Sequence, residues 1–234
     1  MINQIVKFAS VQYGIPISTI QRPICTERKK SIEVLTKTEQ SKLFSVLYHE
    51  TNTFKMAVLL CLYTGFRLGE LCALKWEDID FSNQLISVAR TVQRLHVEGH
   101  ETKTKLLVTE PKSSYSRREI PLSPTILELL MCFQNNKEYV FGGNDPLEPR
   151  TLQYQFKKIL REAGIPNKKF HILRHTFATN CVEGGADAKS LSELLGHSNV
   201  QITLNRYVHP SIDIKRKHID ELAVFYGQIH GQTD

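Results

Sequence analysis

The stretch IDFSNQLISVARTVQRLHVEGHETKTKLLVTEPKSSYSRREIPL, from Ile79 to Leu122, departs from the helical period of the sequence on either side of it. Within it Ile86 and Val88 alternate with polar neighbours, and Leu106 and Val108 do so again. Arg118, Ile120 and Leu122 then follow a Pro111-Lys-Ser-Ser114 turn, and Gly99 falls where another turn is needed. Alternation at period two places apolar side chains on one face of a half-buried strand. The segment therefore predicts a small antiparallel sheet of about three strands.

On both sides the period is helical. Thr36 with Glu39 three residues on is a capping-box signature, and Leu43, Phe44 and Leu47 follow at core spacing. A more apolar helix takes Phe54 to Tyr63 and ends at Gly65, and a third starts near Arg67. Past the sheet, Ser123-Pro124 opens a helix with serine as cap and proline in the first turn. Further helices are expected near 149–163, 171–183 and 187–195, the last closed by Gly196, then a short one near 199–206. A C-terminal amphipathic helix from about 211 to 226 carries Ile214, Ile219, Leu222, Ala223 and Phe225. The expected fold is mainly α with a small antiparallel three-stranded β-sheet, an α+β domain over residues 31–234. Residues 2–13 read as a separate helix. Gly14, Pro16 and Pro23 break it, and a polar stretch to Lys30 makes residues 1–30 a helix and linker.

Composition narrows the classes. The chain has 234 residues, 41% hydrophobic and 23% charged, an ordinary balance for a globular protein. Its longest apolar run, Met56 to Tyr63, is far shorter than the roughly 20 residues of a membrane-spanning helix. No charged-then-apolar leader opens it, and cysteines 25, 61, 72, 132 and 181 are odd in number and hold no C-x-x-C pair. That pattern argues against a disulfide framework or a zinc finger and predicts a cytoplasmic protein. A formal charge of +6 makes a polyanion, nucleic acid first, the partner to expect.

Five segments concentrate cationic and proton-carrying side chains. Thr64-Gly-Phe-Arg67-Leu-Gly-Glu70-Leu puts an arginine after a glycine break with a carboxylate one turn on. Lys112 sits at the tip of a β-turn, and His171-Ile-Leu-Arg174-His175 groups three side chains at i, i+3 and i+4. Leu195-Gly-His197 and Arg206-Tyr207-Val-His209 complete the set. Singly, each has an ordinary alternative: a surface ion pair, a turn lysine, a packed tyrosine. His171 and His175 have the spacing of a zinc helix, but Ile172 stands where the metalloprotease pattern needs glutamate, so no metal is expected.

Together and in this order, Arg67, Glu70, Lys112, His171, Arg174, His197 and Tyr207 resemble the signature of the tyrosine recombinases, also called the phage integrase family. The Leu71–Asp80 text, Arg118-Glu-Ile-Pro-Leu122 and Leu194-Leu-Gly-His197 match as well, and the likeness covers about residues 31–226. It implies that family's catalytic-domain fold and a DNA strand transferase working through a covalent 3′-phosphotyrosyl intermediate. Tyr207 would be the nucleophile. Arg67 and Arg174 would hold the non-bridging oxygens of the phosphorane-like transition state, because a guanidinium stays charged and grips two oxygens at once. His197 would add hydrogen bonds there, His171 would be the base, Lys112 the acid for the leaving 5′ oxygen, and Glu70 and His175 would support. A tyrosyl ester conserves the energy of the broken bond, so no cofactor is expected.

The resemblance also implies double-stranded DNA as partner, at the bacterial nucleoid, and a homo-oligomer on DNA, a tetrameric synapse joined through the C-terminal helix. No membrane partner is expected. Residues 1–30 would be the remnant of a core-binding domain otherwise absent, and DNA binding would then be weak and steeply salt-dependent. A type IB topoisomerase shares the tyrosine chemistry, and a non-catalytic DNA-binding relic is the third reading.

Overall fold

The computed structural model describes residues 2–14, 32–96, 104–110 and 114–207, and beyond these the helical positions Arg216, Ile219, Asp220, Leu222, Val224 and Tyr226. The chain divides into two compact units, Met1–Ser31 and Ile32–Asp234. The first contains α1 (Ile2–Tyr13), on which Ile5, Phe8 and Val11 are exposed.

The second unit is mainly helical. Helix α2 (Lys37–Tyr48) begins as expected: Glu39 N–H donates to Thr36 Oγ1, and the Glu39 carboxylate accepts from Thr36 N–H. That reciprocal pair satisfies two donors the first turn would otherwise leave open, worth about 1 kcal/mol. Leu43 and Leu47 are buried from it. Helix α3 (Thr53–Thr64), capped by the Asn52 side chain, is buried along almost its whole length and packs on α2, α6 (Pro149–Glu162) and α7 (Ile172–Glu183). It ends at Gly65, which turns left-handed at φ 65°. A Cβ there would lie 2.4 Å from the Phe177 ring, so the turn against α7 requires glycine. The short α4 (Leu68–Cys72) follows at once.

The sheet differs in detail from expectation. Strands β1 (Ile79–Asp80), β2 (Leu85–Val88) and β5 (Arg118–Pro121) form a three-stranded antiparallel sheet, with Ile86 opposite Ile120 and Val88 opposite Arg118. Leu106 and Val108 are not part of it. They lie in β4 (Thr104–Thr109), which pairs with β3 (Thr91–His96) in a separate two-stranded sheet among the described residues. Strand β3 hides in the sequence because Val92 and Leu95 are three apart and break the alternation. Gly99 and Lys112 lie outside the described residues.

Helix α5 (Pro124–Phe133) starts at Ser123-Pro124, but the serine hydroxyl makes no cap bond and is buried without a partner among the described residues. Helices α8 (Ala188–Leu195) and α9 (Val200–Tyr207) close the unit, and α8 packs on α7, α9 and β5. One large core joins α2, α3, the sheet and α6. A smaller cluster of Phe177, Ala178, Leu191, Leu195 and Tyr207 underlies the last three helices. In the C-terminal segment Ile219 and Leu222 are exposed, while Ile214, Ala223 and Phe225 lie outside the described residues. Among the described residues no helix is long and apolar enough to cross a membrane.

Candidate active site

The last turn of α8 organises the site. A helix leaves its final carbonyls without intrahelical donors and carries the negative end of its dipole there, so that end attracts cations. Arg174, from the first turn of α7, donates Nη2–H to Leu195 O at 2.5 Å and Nη1–H to Gly65 O at 2.7 Å. Arg67, the N-cap of α4, donates Nη2–H to Gly196 O at 2.9 Å and Nη1–H to Glu70 at 2.7 Å. Arg174 is 2% exposed and the Arg67 side chain 36%, and each commits two of its five guanidinium N–H bonds to these acceptors, which leaves three for a ligand.

Glu70 is buried and receives Arg67 on one side and Arg118 on the other. Burial alone would raise its pKa, but the hydrogen bonds and charge of Arg118, then the charge of Arg67, hold it below the ordinary carboxylate range. Arg174 is drawn down by burial and by Arg67 to about 9 and keeps its charge at neutral pH.

Tyr207 ends α9 and is largely buried. Its hydroxyl lies 2.7 Å from Nδ1 of His175. His171, at the N-cap of α7, meets His175 edge to face with ring centroids 4.4 Å apart and is itself exposed. The ring in reach of the tyrosine proton is thus His175 and not His171, because the first turn of α7 turns the fifth residue of the motif toward α9. Burial, then His171, Arg206 and Arg174, lowers His175 to about 4, so the ring is neutral at pH 7. Burial raises the Tyr207 pKa, with Arg174, Arg206 and Arg67 acting against it. A protonated phenol beside a neutral imidazole can form a donor–acceptor pair: in the ring's Nε2–H tautomer Tyr207 O–H donates to Nδ1, and in the Nδ1–H tautomer the ring donates to the hydroxyl.

His197 follows the α8 cap and shares a 2.8 Å hydrogen bond with Thr203 in α9. Burial, then Arg174 and Arg67, lowers it to about 4. The same three arginines, 67, 174 and 206, act on His171, His197 and Tyr207, so these side chains share one cationic field. Seven of the sequence candidates, Arg67, Glu70, His171, Arg174, His175, His197 and Tyr207, are gathered in this way, and Lys112 lies outside the described residues. Sequence reasoning missed Arg118 and Arg206 as members. The second was visible as a cation beside Tyr207.

A cleft of about 340 Å³ opens beside His171, lined also by Leu68, Gln153, Lys157, Lys168 and Lys169. Lys168 is paired with Glu33 and Glu39, whereas Lys157 and Lys169 have no acidic partner among the described residues.

The depressed histidines carry a pH signature. Between about pH 4 and 6.5 the unfolded chain binds protons at His175 and His197 that the folded chain excludes, so stability rises with pH across that window and levels off above it. The melting temperature of the DNA-free protein is expected to fall on acidification from pH 6.5 to 4. The His175→Gln/His197→Gln double variant should flatten that dependence. An equally steep profile in the variant would mean that other groups govern it.

A family model described as the phage integrase family matches residues 33–213, and the chain belongs to that family. The tyrosine recombinase XerC-like protein of Caldanaerobacter subterraneus subsp. tengcongensis is 36% identical over 200 residues, 76% of this chain and 50% of that protein. The tyrosine recombinase XerA of Thermococcus onnurineus is 30% identical over 204 residues, 83% of this chain and 64% of that protein. The chain thus spans half to somewhat under two thirds of these relatives. The Tn1549 transposon integrase in complex with transposon right end DNA superposes with a TM-score of 0.69 at 22% identity, over 95% of this chain and 79% of that one. The catalytic domain of bacteriophage HP1 integrase gives 0.55 at 21% identity, over 81% of this chain and 95% of that one. At such identities these two structures speak for the fold: a tyrosine recombinase catalytic domain.

Proposed function

We propose that this chain is the strand-cleaving unit of a DNA recombinase or integrase. The observation that carries this is the 2.7 Å contact between the Tyr207 hydroxyl and a neutral His175, beside two arginines fixed by one helix end. Tyr207 Oη attacks the scissile phosphorus, its proton passes to His175 Nδ1, and the bond from phosphorus to the 5′ oxygen breaks. Arg67 and Arg174, with His197, hold the non-bridging oxygens as negative charge builds on them. The 5′ oxygen takes a proton, from Lys112 if the family resemblance carries over. Reversal by a 5′ hydroxyl of another strand exchanges partners without an external energy source. Double-stranded DNA is the substrate, and recombination rather than simple relaxation is favoured because the curated relatives are named recombinases and transposases. A homo-oligomer on DNA follows from strand exchange between two duplexes.

The test is a nicked candidate-site duplex that, after cleavage, loses the short segment carrying the released 5′ hydroxyl and so traps the adduct. A DNA-linked peptide containing Tyr207 is expected, and Tyr207→Phe should form none while still binding DNA. Adduct persisting in the phenylalanine variant would refute the nucleophile.

The cleft beside His171 supplies a second measurement. If Lys157 and Lys169 each neutralise one backbone phosphate, converting either to glutamine should lower the slope of log affinity against log salt by about 0.9. Unchanged slopes would place the DNA backbone elsewhere.

A further inference from the structure

Three successive carbonyls at the end of α8 are each taken by a different arginine. Leu194 O accepts from Arg118 Nε–H at 2.6 Å, Leu195 O from Arg174, and Gly196 O from Arg67. Two of these arginines are among the seven signature residues; Arg118 is not, although it opens the Arg118-Glu-Ile-Pro-Leu122 text that resembles the family. It opens β5, and its donors can be counted. Nε–H goes to Leu194 O, Nη1–H to Glu70 Oε1 and Ser116 O at 3.2 Å each, and Nη2–H to Glu70 Oε2 at 2.8 Å. The side chain is 5% exposed. A guanidinium has five N–H bonds, and four of these are committed inside the protein. Arg118 is thus not placed to grip a phosphate.

Its partners show what it does instead. Glu70 carries one negative charge and faces two guanidiniums. With Arg118 neutralising it, the charge of Arg67 remains available to an incoming phosphate. Without Arg118, the whole carboxylate charge would fall on Arg67, and Leu194 O would lose its donor at the turn that carries Gly196 O and His197. Gly196 reports how tightly this is built: at φ 62°, a Cβ on it would lie 3.1 Å from Arg118 Nη1 and 3.1 Å from Tyr115 O.

We propose that Arg118 is a positioning residue for strand cleavage: by tying Glu70 to the end of α8 it sets the place and the free charge of Arg67. The proposal rests on the strand-cleaving reading given above. It differs from a purely structural role in acting through the charge that Arg67 offers the phosphate.

The test uses Arg118→Lys and Arg118→Gln on the nicked duplex, with DNA affinity and single-turnover adduct formation measured separately. Adduct formation is expected to slow by about 10²-fold, the usual consequence of misplacing a reacting group by about 1 Å. DNA affinity should stay unchanged, since no free donor of Arg118 is lost. The deciding arm repeats the rates on a duplex whose scissile phosphate is a neutral methylphosphonate, which relieves the demand for arginine charge. There the deficit of the Arg118 variants relative to the parent protein should largely disappear. A deficit equal on both substrates would overturn the proposal, and so would an unslowed Arg118→Lys. Should Arg118→Gln fail to fold, Arg118→Lys carries the same comparison alone, since an ammonium keeps the charge but lacks the fork that spans Leu194 O and Glu70. That variant must show the same substrate-dependent deficit, or the proposal fails. A parent protein forming no adduct on either duplex would instead sink the strand-cleaving reading, with which this proposal would also fall.

Discussion

Arg174→Ala is expected to reduce strand cleavage by at least about 10²–10³-fold and to weaken the domain at the same time. The two effects have one origin. Arg174 is the largest fully buried side chain in the structure described, and its guanidinium joins the end of α3 to the end of α8 through Gly65 O and Leu195 O. Alanine leaves both carbonyls without donors, at about 1–3 kcal/mol each, and opens a cavity between α3, α7 and α8. Arg174→Lys separates the effects. An ammonium restores the charge and reaches one carbonyl, so much of the stability should return. Cleavage should not, because a point charge lacks the two-pronged grip on adjacent oxygens. Denaturant unfolding and single-turnover adduct formation on the same samples decide it. A lysine variant that cleaves at the parent rate would show that charge alone suffices and that the forked geometry has no catalytic role.

How far the sequence discloses this site depends on the range of each contact. Thr36 and Glu39 are three residues apart, and Gly65 and Gly196 end helices through their own backbone, so these features were open to local reading. The motif residues were also legible, because order and spacing along the chain define them. Arg118 was not. As a residue it reads as the polar face of a short strand, and its burial comes from Glu70 and Leu194, 48 and 76 positions away. The choice of His175 over His171 escaped for a similar reason. Both rings belong to one motif, and only the crossing of α7 and α9 decides which meets Tyr207. Strand β3 was missed by the opposite failure, a local signal too irregular to register.

The carboxylate at the centre of this network gives the other large expectation. Glu70→Ala should destabilise the domain by about 3–5 kcal/mol, the range for removing one partner of a buried ion pair. The cause is the charge left behind: Arg118 is 5% exposed and cannot turn to solvent without giving up Leu194 O. Glu70→Gln should cost less, since an amide oxygen still accepts a hydrogen bond, although its NH₂ group meets guanidinium donors on either side. The sign of the effect is tested by removing both charges. Glu70→Met combined with Arg118→Met replaces a buried pair by apolar side chains, and stability should recover most of what the alanine variant loses. Cleavage should not recover, because Arg67 would then be held by Gly196 O alone. A double variant as unstable as Glu70→Ala would mean that Glu70 acts through its bond to the Arg67 backbone N–H, at 2.9 Å, rather than through the paired charges.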